Sequence, residues 1–488
     1  MSVKEFPSLN EQQLQRLVYE VTQFGLSNGL IMYPPAPYSN YQPVLAPITI
    51  YPTPLPRDQF LKSLDIQLIY NKLYANIVSE NEWLTNIIKT LSLSDKDFTG
   101  KLWDCYLKAL NNGIVQDVSL SLTRSDYMYD ELSNQIKQVE FNTVSVSFGG
   151  LSSKVGKTHQ YLNQNGLYSN NGDNISTYYK ENEIVISESD EKLANGLYTG
   201  VKYYNDKYLN GENKSIVLMI IQPNERNAFD QRAIEYQLLK NHNVITKRVE
   251  LPNVLSMVKI DKNNSNKLYY QGLEVSVVYY RSAYGPSEFN QPETWDVRIT
   301  LESSLSIKCP SLLTQLSGSK KIQQLLTKKD ILSKFIDNDL EINKITDTFC
   351  KIYPLDESND GLLARKLAFE KPDNFVLKPQ REGGGNNIYK DDIPNFLNSI
   401  PKSEWEAYIL MELIHPKIHN NIILRNGELL NDGIVSELGI FGTYLFNEKT
   451  GEILNNNVAG HLLRSKTSSS NEGGVAAGFG CVDNMYLY

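Results

Sequence analysis

The residues best suited to chemistry lie in one short stretch, residues 375–389. An apolar, strand-like run ends in Lys378, and Glu382 stands directly before three consecutive glycines. Because glycine has no Cβ, its backbone can adopt positive φ and present N–H groups to a ligand. Such donors beside a lysine suit a polyphosphate, and Glu382 suits a divalent cation held against that phosphate. The stretch therefore predicts a nucleotide–metal site.

The order of lysine and glycines separates this stretch from the common phosphate-binding loops. A P-loop places its lysine after the glycines and before Ser or Thr, at the start of a helix. Here Lys378 precedes the glycines, and Asn386 and Asn387 follow them. An extended run, a Gly/Asn loop and a second extended run predict instead a glycine-rich hairpin lying over ATP. An ordinary mobile surface hairpin is the alternative interpretation.

A second group of metal-binding oxygens is predicted on a strand. The run 135–150 alternates, so that Glu140 and Asn142 share the face opposite its apolar side chains. Two oxygen ligands on one strand face suit a hard cation and would complement Glu382. The polar outer face of an edge strand is the alternative.

Groups that could grip substrate carboxylates follow other predicted strands. Strand-like runs at 216–221 and 275–280, with an amphipathic helix between them, predict a small parallel α/β unit. Ligands of such units bind beyond the carboxyl ends of the strands, where Arg281 stands and could form bidentate hydrogen bonds. Ser145 and Ser147 share a face and could donate to a carboxylate. A loop of small residues at 471–478 could close on a substrate too small to tolerate side chains, and a flexible tail is its alternative.

The remaining segments are predicted to position these groups. The first 30 or so residues and residues 58–112 have helical periodicity, with a capping box at Ser94 and Asp97. The proline-rich run 32–57 is interpreted as a connection wrapping the surface, and a ligand for an SH3-like partner is the alternative. Residues 160–213, rich in Asn, Ser and Gly, are predicted to form a surface excursion with some helix.

Composition limits the classes of protein to which the chain can belong. With 488 residues, 41% of them hydrophobic and 21% charged, it is expected to be a soluble globular protein of roughly two to four domains. Its net charge of −8 argues against nucleic acid as a general partner. No apolar run reaches the length of a membrane span, and the N-terminus does not resemble a signal peptide. Four scattered cysteines without C-x-x-C spacing favour a reducing cytosol over zinc binding.

Several of these segments together resemble one family, the eukaryotic glutathione synthetases, which are ATP-grasp carboxylate–amine ligases. The matching segments are residues 124–127, 139–149, 225–231, 314–320, 378–387, 436–439 and 472–478. The resemblance implies an α/β (α+β) protein with an ATP-grasp fold, an inserted small parallel α/β substrate-binding domain and a glycine-rich lid. The implied boundaries are 1–213 for the N-terminal part of the main body, 214–319 for the inserted domain, and 320–488 for the C-terminal part, whose lid covers about 350–432.

The resemblance also implies roles for individual residues. The metal ligands would be Glu140, Asn142 and Glu382, which would hold a pair of Mg²⁺ ions against the ATP phosphates. The residues implied to contact ATP are Glu140, Lys320, Lys378, Glu382, Gly383, Gly384, Gly385, Asn386, Asn387, Tyr389, Met411, Glu412, Leu413, Ile414, Glu437, Lys466 and Glu472. Those implied to bind γ-glutamylcysteine or to border the entry of glycine are Arg124, Ser145, Val146, Ser147, Glu225, Arg226, Asn227, Gln231, Arg281, Ser282, Ala283, Tyr284, Arg464, Val475 and Ala476. The catalytic residues would be Arg464, Lys378 and Lys320.

The reaction that the family implies fits the residue types. ATP would phosphorylate the carboxylate of γ-glutamylcysteine, and the amine of glycine would attack the acyl phosphate, releasing ADP and phosphate. Such a reaction needs positioning and charge neutralisation rather than a protein nucleophile, and the chain has no Ser-His-Asp pattern. Two alternatives remain: the same fold with β-alanine or serine as acceptor, and a non-catalytic ATP-binding regulatory protein. The family further implies a homodimer. The composition given above predicts a cytoplasmic protein without nucleic-acid or membrane partners.

Overall fold

The computed structural model describes residues 3–169, 176–180, 182–212, 214–382, 384–471 and 473–488, which form a mixed α/β protein. No helix in these ranges is both long and apolar enough to cross a membrane. The α-helices of the described residues are α1 (Glu11–Ser27), α2 (Arg57–Ser79), α3 (Asn81–Ser94), α4 (Lys101–Asn112), α5 (Gly149–Gln164), α6 (Ser189–Tyr208), α7 (Ala228–His242), α8 (Val254–Met257), α9 (Pro292–Glu302), α10 (Leu312–Ser317), α11 (Lys320–Leu326), α12 (Lys329–Leu332), α13 (Asp339–Thr346), α14 (Asn359–Glu370) and α15 (Asp392–Ser399). A π-helical turn covers Lys96–Gly100, and short 3-10 helices cover Leu251–Asn253, Pro286–Glu288, Pro372–Asn374 and Lys402–Ala407.

The strands belong to three sheets of four or more strands and two small pairs, β1 with β2 and β4 with β22. In chain order they are β1 (Ile31–Met32), β2 (Val44–Leu45), β3 (Ile48–Thr49), β4 (Thr53–Leu55), β5 (Val118–Asp130), β6 (Gln135–Asn142), β7 (Ile216–Ile221), β8 (Thr246–Glu250), β9 (Val258–Asp261), β10 (Lys267–Tyr270), β11 (Leu273–Tyr280), β12 (Ile307–Cys309), β13 (Ile352–Pro354), β14 (Phe375–Pro379), β15 (Ile388–Tyr389), β16 (Tyr408–Glu412), β17 (Ile423–Arg425), β18 (Glu428–Leu430), β19 (Ile434–Asn447), β20 (Ile453–Thr467), β21 (Gly480–Asp483) and β22 (Met485–Leu487).

The largest sheet, called here the main sheet, has the strand order β18-β17-β3-β21-β20-β19-β5-β6. Its long strands β19 and β20 pair antiparallel over most of their lengths. Successive side chains of β19 enter different cores, because side chains alternate along a strand. Ile440 belongs to the core that holds Tyr70 and Leu73 of α2, whereas Phe441 belongs to the core that holds Leu197 of α6. The main sheet is therefore covered on both faces and gives the site a rigid floor.

The second sheet confirms the predicted strand–helix–strand unit. Strands β8, β7, β11 and β12 pair in parallel, and the antiparallel strands β10 and β9 extend the sheet. Helix α7 connects β7 to β8, with Ile234 and Leu238 buried. The carboxyl ends of β7 and β11 lie side by side at the same edge of this sheet. Arg281, the residue directly after β11, donates its backbone N–H to the carbonyl of Ile220 in β7 at 2.8 Å. The boundaries at 214 and 319 stay a prediction.

The third sheet, called here the lid sheet, is antiparallel with the order β13-β16-β14-β15. Phe375, Leu377 and Leu410 pack with residues of α14 and α15 on one face. Val376 and Met411 lie in an apolar cluster on the other face. The turn between β14 and β15 carries the glycines, so the predicted glycine-rich hairpin is confirmed for its described residues.

Two local predictions are wrong. Ser94 is the last residue of α3, and the side chain of Asp95 caps the following π-helical turn by accepting from Thr99 N. The proline-rich run wraps the surface only in its first half. Residues 46–56 are buried and contain β3 and β4. Ile48 of β3 pairs with Val482 inside the main sheet, so this half of the run is part of the core.

The segment 160–213 is more deeply packed than predicted. Its twenty-residue helix α6 buries Leu193, Leu197, Val201 and Tyr204, and it contacts α5, α7 and β20. Composition misled here because small residues, including Gly196 against Thr443, allow this helix to approach the sheet closely. Residues 170–175, 181 and 213 lie outside the described part of the chain.

Candidate active site

Four adjacent strands of the main sheet bring four of the predicted charged residues, Arg124, Glu140, Glu437 and Arg464, to one face. The strands are β20, β19, β5 and β6, in that order. Their register sets three pairs directly opposite each other, namely Glu437 with Arg464, Asp126 with Glu140, and Arg124 with Asn142. Residues two apart on a strand share a face, so these pairs form one continuous polar surface. We call it the charged face.

Asp126 lies at the centre of the charged face. Its carboxylate is fully buried and accepts from Arg124 Nε at 2.6 Å, from Arg464 Nη2 at 3.1 Å and from Asn142 Nδ2 at 3.0 Å. Arg464 also pairs with Glu437. Burial would lower the pKa of Arg464, but these two carboxylates raise it above its ordinary value. Asp126 therefore fixes both arginines in place.

Lys320, at the start of α11, stands between two carboxylates. Its Nζ donates to Glu140 Oε2 at 2.9 Å and lies 3.8 Å from Glu382 Oε2. Burial favours the neutral acid, but Lys320 and Lys378 outweigh it at Glu140 and hold the pKa of that carboxyl far below its ordinary value. At Glu382 burial prevails over Lys320 and raises the pKa to about 7. Among the described residues, Glu382 Oε2 has no hydrogen-bond partner.

Lys378 lies near the end of β14, and its charged group is inside the protein. The side chain is 4% exposed, and its Nζ donates to the carbonyl of Val139 at 3.0 Å. Burial lowers the pKa of this ammonium, although Glu140 opposes the shift. Burying an ammonium group that donates to a neutral carbonyl costs free energy unless an anion binds next to it. Lys378 is thus suited to receive a phosphate.

The hairpin between β14 and β15 has the backbone that its glycines predict. Gly384 and Gly385 adopt φ of 65° and 77°, and a Cβ at Gly385 would meet nothing within 4 Å. Asn386 Nδ2 donates to the carbonyl of Gly384 at 3.0 Å, and Asn387 Nδ2 donates to the hydroxyl of Tyr389 at 3.3 Å. Gly383 lies outside the described residues. The conformation leaves room for a ligand beside the turn.

The open face of the lid sheet forms an apolar surface. Tyr389, Leu413 and Ile414 pack against the buried cluster that contains Met411. The side chain of Glu412 points to the opposite face, where its carboxylate accepts from the Tyr353 hydroxyl at 3.4 Å. Of the residues implied to contact ATP, Tyr389, Met411, Leu413 and Ile414 are therefore brought together by their side chains. Glu412 can contribute only its backbone to that face.

Arg281, at the carboxyl end of β11, is buried next to Asp230. Its Nη2 donates to Asp230 Oδ2 at 3.1 Å. In the described part of the chain, its Nε and Nη1 have no hydrogen-bond partner. Burial alone would lower its pKa, but Tyr279 and Asp230 raise it, so the guanidinium stays charged. Two unpaired donors on a buried cation mark a place for an anionic group.

Asp230 also fixes the loop that was predicted to carry substrate-binding serines. Its carboxylate accepts from Phe148 N at 2.9 Å and Gly150 N at 2.7 Å, at the start of α5. The prediction that Ser145 and Ser147 share a strand face is wrong, because β6 ends at Asn142 and Ser145 adopts φ of 53°.

The serine loop is tied to the charged face by its backbone. The carbonyl of Ser147 accepts from Arg124 Nη1 at 3.4 Å. Val146, between the two serines, is buried in the core, so it can offer a ligand only its backbone.

Two of the remaining predicted substrate residues, Glu225 and Tyr284, lie close enough to Arg281 to interact with its charge. Glu225 accepts from Asn227 N at 2.7 Å and from Gln231 Nε2 at 3.1 Å, and burial raises its pKa. The Tyr284 hydroxyl donates to Gln222 Oε1 at 3.2 Å. The neighbouring residues Ser282 and Ala283 are buried, and Ala283 has φ of 68°.

Arg226 takes a position that the sequence did not predict. Its Nη1 donates to the carbonyl of Ala476, and its Nε donates to the carbonyl of Tyr33 at 3.2 Å. The side chain thus holds the small-residue loop against the N-terminal segment. Val475 is buried in the core, and Lys466 Nζ donates to the carbonyl of Asn471 at 2.6 Å. Glu472 lies outside the described residues.

The comparisons with known proteins agree with this geometry. Residues 11–487 match the family model described as eukaryotic glutathione synthase, ATP binding domain. The chain belongs to the eukaryotic glutathione synthases. It is 38% identical to the glutathione synthetase large chain of Schizosaccharomyces pombe over 99% of both proteins. It is 35% identical to the glutathione synthetase of Dictyostelium discoideum, over 98% of this chain and all of the relative.

A solved structure supports the fold. A glutathione synthetase-like effector from Globodera pallida, in its apo form, superposes with a TM-score of 0.76 at 23% identity, covering 100% of both chains. At this identity the similarity concerns the fold alone. It agrees with the α/β architecture that the family resemblance implied. Family membership also confirms ATP use, which was predicted from the glycine-rich hairpin and Lys378.

Sequence reasoning assigned no role to two buried aspartates, Asp126 and Asp230. Asp126 stands two residues after Arg124 on β5, and this i, i+2 spacing of opposite charges could have indicated one shared face. Asp230 stands on the first turn of α7, and its contacts with Phe148 and Arg281 are distant in sequence. No local pattern indicates such contacts.

Gly439 is expected to be essential to the charged face because it leaves room for Arg124 and Asp126. An added Cβ would lie 2.6 Å from Arg124 Cδ and 2.9 Å from Asp126 Oδ1. Gly439→Ala should therefore lower the free energy of unfolding by about 1–3 kcal/mol and reduce turnover. Urea unfolding against Gly285→Ala, whose Cβ would meet nothing closer than 3.9 Å, tests this. Equal stability of the two variants would contradict the packing argument.

The raised pKa of Glu382 predicts a pH dependence of stability. The folded protein holds the proton up to about pH 7, whereas the unfolded chain loses it near the ordinary value of 4.5. Between these values the folded state binds more protons, so the free energy of unfolding should fall as the pH rises from about 5 to about 7. Chemical denaturation of the ligand-free protein at several pH values measures this slope. Glu382→Gln should make the slope less steep, while Glu448 and Asp483, whose pKa values burial raises to about 7 and about 6, keep part of it. An unchanged slope would contradict the assignment.

Proposed function

We propose that the chain joins γ-glutamylcysteine to glycine with hydrolysis of ATP to ADP and phosphate, forming glutathione. The observation that carries the proposal is the connection between the two halves of the site. Arg124 contacts the serine loop, Asp230 holds that loop, and Asp230 also holds Arg281. The charged face, suited to phosphates, is thereby connected to the buried guanidinium of Arg281, which is suited to a substrate carboxylate. A carboxylate–phosphate reaction requires this adjacency.

The residues would act by positioning and by charge. Arg281 would bind a carboxylate of γ-glutamylcysteine with its two unpaired N–H groups, while the reacting carboxylate faces the charged face. That carboxylate would attack the γ-phosphate of ATP, forming an acyl phosphate and ADP. The amine of glycine would then attack the acyl carbon, and phosphate would leave. Arg464 and Lys378 would stabilise the charge that develops on the transferring group.

The donor set fits Mg²⁺ together with ATP. The charged face and its neighbours hold four cations, Arg124, Arg464, Lys320 and Lys378, against the four carboxylates of Asp126, Glu140, Glu382 and Glu437. A formally neutral site cannot compensate a polyphosphate, so a divalent cation must accompany it. No group of three or more His, Cys, Asp or Glu side chains in the described ranges could hold a metal alone.

Phosphate oxygens would therefore complete the metal shell begun by Glu140, Asn142 and Glu382. The unpaired Oε2 of Glu382 is the observation that favours this. When bound, Mg²⁺ supplies charge neutralisation to the phosphates.

Several finer features belong to the same proposal. Adenine would lie on the apolar face of the lid sheet near Met411, and Glu437 and Lys466 would border the ribose and phosphates. The small-residue loop that contains Val475 and Ala476 would border glycine. We further propose a homodimer located in the cytoplasm, in keeping with four cysteines that are free within the described structure.

The test is an acceptor comparison with product identification by mass spectrometry. The full chain, Mg²⁺-ATP and γ-glutamylcysteine should yield the tripeptide with glycine, and β-alanine or serine should give far less product. A larger yield with β-alanine or serine would keep the fold and change the acceptor. Binding of ATP without any product would support the regulatory alternative and contradict the proposal.

A further inference from the structure

An ion pair between Arg381 and Asp95 connects the glycine-rich hairpin to a part of the chain outside the lid sheet. Neither residue belongs to the charged face. Arg381 donates to Asp95 through Nη1 at 2.6 Å and through Nη2 at 2.8 Å. Asp95 caps the π-helical turn before α4, and its side chain is 6% exposed. The Arg381 guanidinium also lies 5.5 Å from the ring centroid of Phe98. This two-pronged contact joins the hairpin to the helical part of the main body.

Three consecutive residues of the hairpin point in three directions. Gln380 Oε1 accepts from Lys321 N at 3.1 Å, and Gln380 Nε2 donates to the carbonyl of Ala407 at 3.0 Å. Arg381 turns outward to Asp95, and Glu382 turns inward to Lys320. Gly384 and Gly385 of the same turn adopt positive φ, and glycine by itself restricts the backbone less than other residues do. The direction of the Glu382 carboxylate therefore depends on the contacts made by the two residues before it.

We propose that Asp95 is a positioning residue for the binding of Mg²⁺-ATP. By clamping Arg381, it fixes the backbone at the base of the hairpin and holds the Glu382 carboxylate toward Lys320 and the incoming phosphates. The inference rests on the proposed function of the charged face. It extends the site to a residue of the helical region, nearly 290 positions away from Glu382 along the chain.

A purely structural role for Asp95, as a helix cap, does not account for all its contacts. The cap uses Oδ2, which accepts from Thr99 N at 3.1 Å and from the Thr99 hydroxyl at 2.6 Å. Asn would satisfy such a cap equally well. The bidentate arginine instead requires a carboxylate with both oxygens available, and it adds rigidity as well as attraction. Lysine could not replace Arg381 in this geometry, because it offers a single ammonium.

Three variants separate the capping contact of Asp95 from its bidentate contact with Arg381. Asp95→Asn keeps the cap and removes the charge, Arg381→Lys keeps a positive charge and removes the fork, and Asp97→Asn is the matched control. Asp97 lies on the same π-helical turn and is exposed. Titration calorimetry of the full chain with Mg²⁺-ATP is the readout, so that binding is measured without turnover.

We expect Asp95→Asn and Arg381→Lys each to weaken Mg²⁺-ATP binding about tenfold. The double variant should bind no more weakly than Arg381→Lys, because Asp95 acts through Arg381. Turnover should fall by up to about 100-fold, as expected for a displaced catalytic carboxylate. The KM for γ-glutamylcysteine and the affinity of Asp97→Asn should stay at the wild-type values.

Wild-type affinity for Mg²⁺-ATP in Asp95→Asn, with only a lowered melting temperature, would overturn the proposal and leave Asp95 as a cap. Additive losses in the double variant would also overturn it, since Asp95 would then act by another route. These results differ from a failure of the proposed function. If the proposed function fails, the wild-type chain makes no tripeptide. The Mg²⁺-ATP affinities of the wild type and the variants can still be compared by calorimetry, because binding is measured without turnover.

Discussion

Replacing Glu382 by glutamine is expected to abolish turnover while making the ligand-free protein more stable. The carboxylate is buried, its Oε2 has no hydrogen-bond partner among the described residues, and burial raises its pKa to about 7. Glutamine keeps the shape and removes the charge, so the free energy of unfolding near pH 8 should rise by about 2 kcal/mol. Lys320 keeps its contact with Glu140. Loss of the carboxylate that we propose to bind Mg²⁺ should lower the turnover number by about 1000-fold.

The informative result is that Glu382→Gln raises the free energy of unfolding and lowers the turnover number in the same variant. Denaturant titration and phosphate release are measured on the same preparations, with Glu404→Gln as the control. Glu404 lies in the 3-10 helix before β16 and is exposed, so its replacement should change neither quantity. A Glu382→Gln variant that is less stable than the wild type would show that the carboxylate serves folding. Full activity of that variant would remove Glu382 from the site.

Replacing Arg281 by lysine is expected to raise the KM for γ-glutamylcysteine about 100-fold and to leave Mg²⁺-ATP affinity unchanged. The guanidinium is 2% exposed, and its Nε and Nη1 lack partners within the described structure. Lysine keeps the charge but cannot reach Asp230 and a substrate carboxylate in a planar fork. Within the described structure Arg281 contacts Asp230, Tyr279 and Ile220, none of which belongs to the lid sheet, so ATP should be unaffected.

Steady-state kinetics and calorimetry separate the two ligands. Arg232→Lys is the matched control, because Arg232 lies on α7 close to Asp230 and pairs at the surface with Glu235. A rise in the ATP dissociation constant equal to the rise in the γ-glutamylcysteine KM would contradict the assignment of Arg281 to one substrate. An unchanged KM for γ-glutamylcysteine would show that its buried donors have another purpose.

Features with a short period in sequence could be predicted. The alternation around Glu140 and Asn142 predicts a shared face, because side chains alternate along any strand. In the structure both residues are part of the charged face, where Glu140 accepts from Lys320 and Asn142 donates to Asp126. Lys378 before a glycine run predicts a hairpin because glycine alone adopts positive φ freely, as Gly384 and Gly385 do.

Features that depend on distant contacts could not be predicted. The central place of Asp126 results from the register of β5 against β6 and β19, which the sequence of β5 does not specify. Asp95 was missed because a cap was predicted from Ser94 and Asp97, and its partner Arg381 lies in another part of the chain. The orientation of Arg226 toward Ala476 likewise depends on how the C-terminal loop folds back. Long-range packing, rather than local propensity, decides these positions.

The most direct test of the charged face as a ligase site is glycine-dependent phosphate release. Wild-type protein and Glu382→Gln are assayed side by side with Mg²⁺-ATP and γ-glutamylcysteine, with and without glycine. We expect phosphate release by the wild type to require glycine, and release by the variant to be at least about 100-fold lower. Equal release with and without glycine, or equal release by the two proteins, would contradict it.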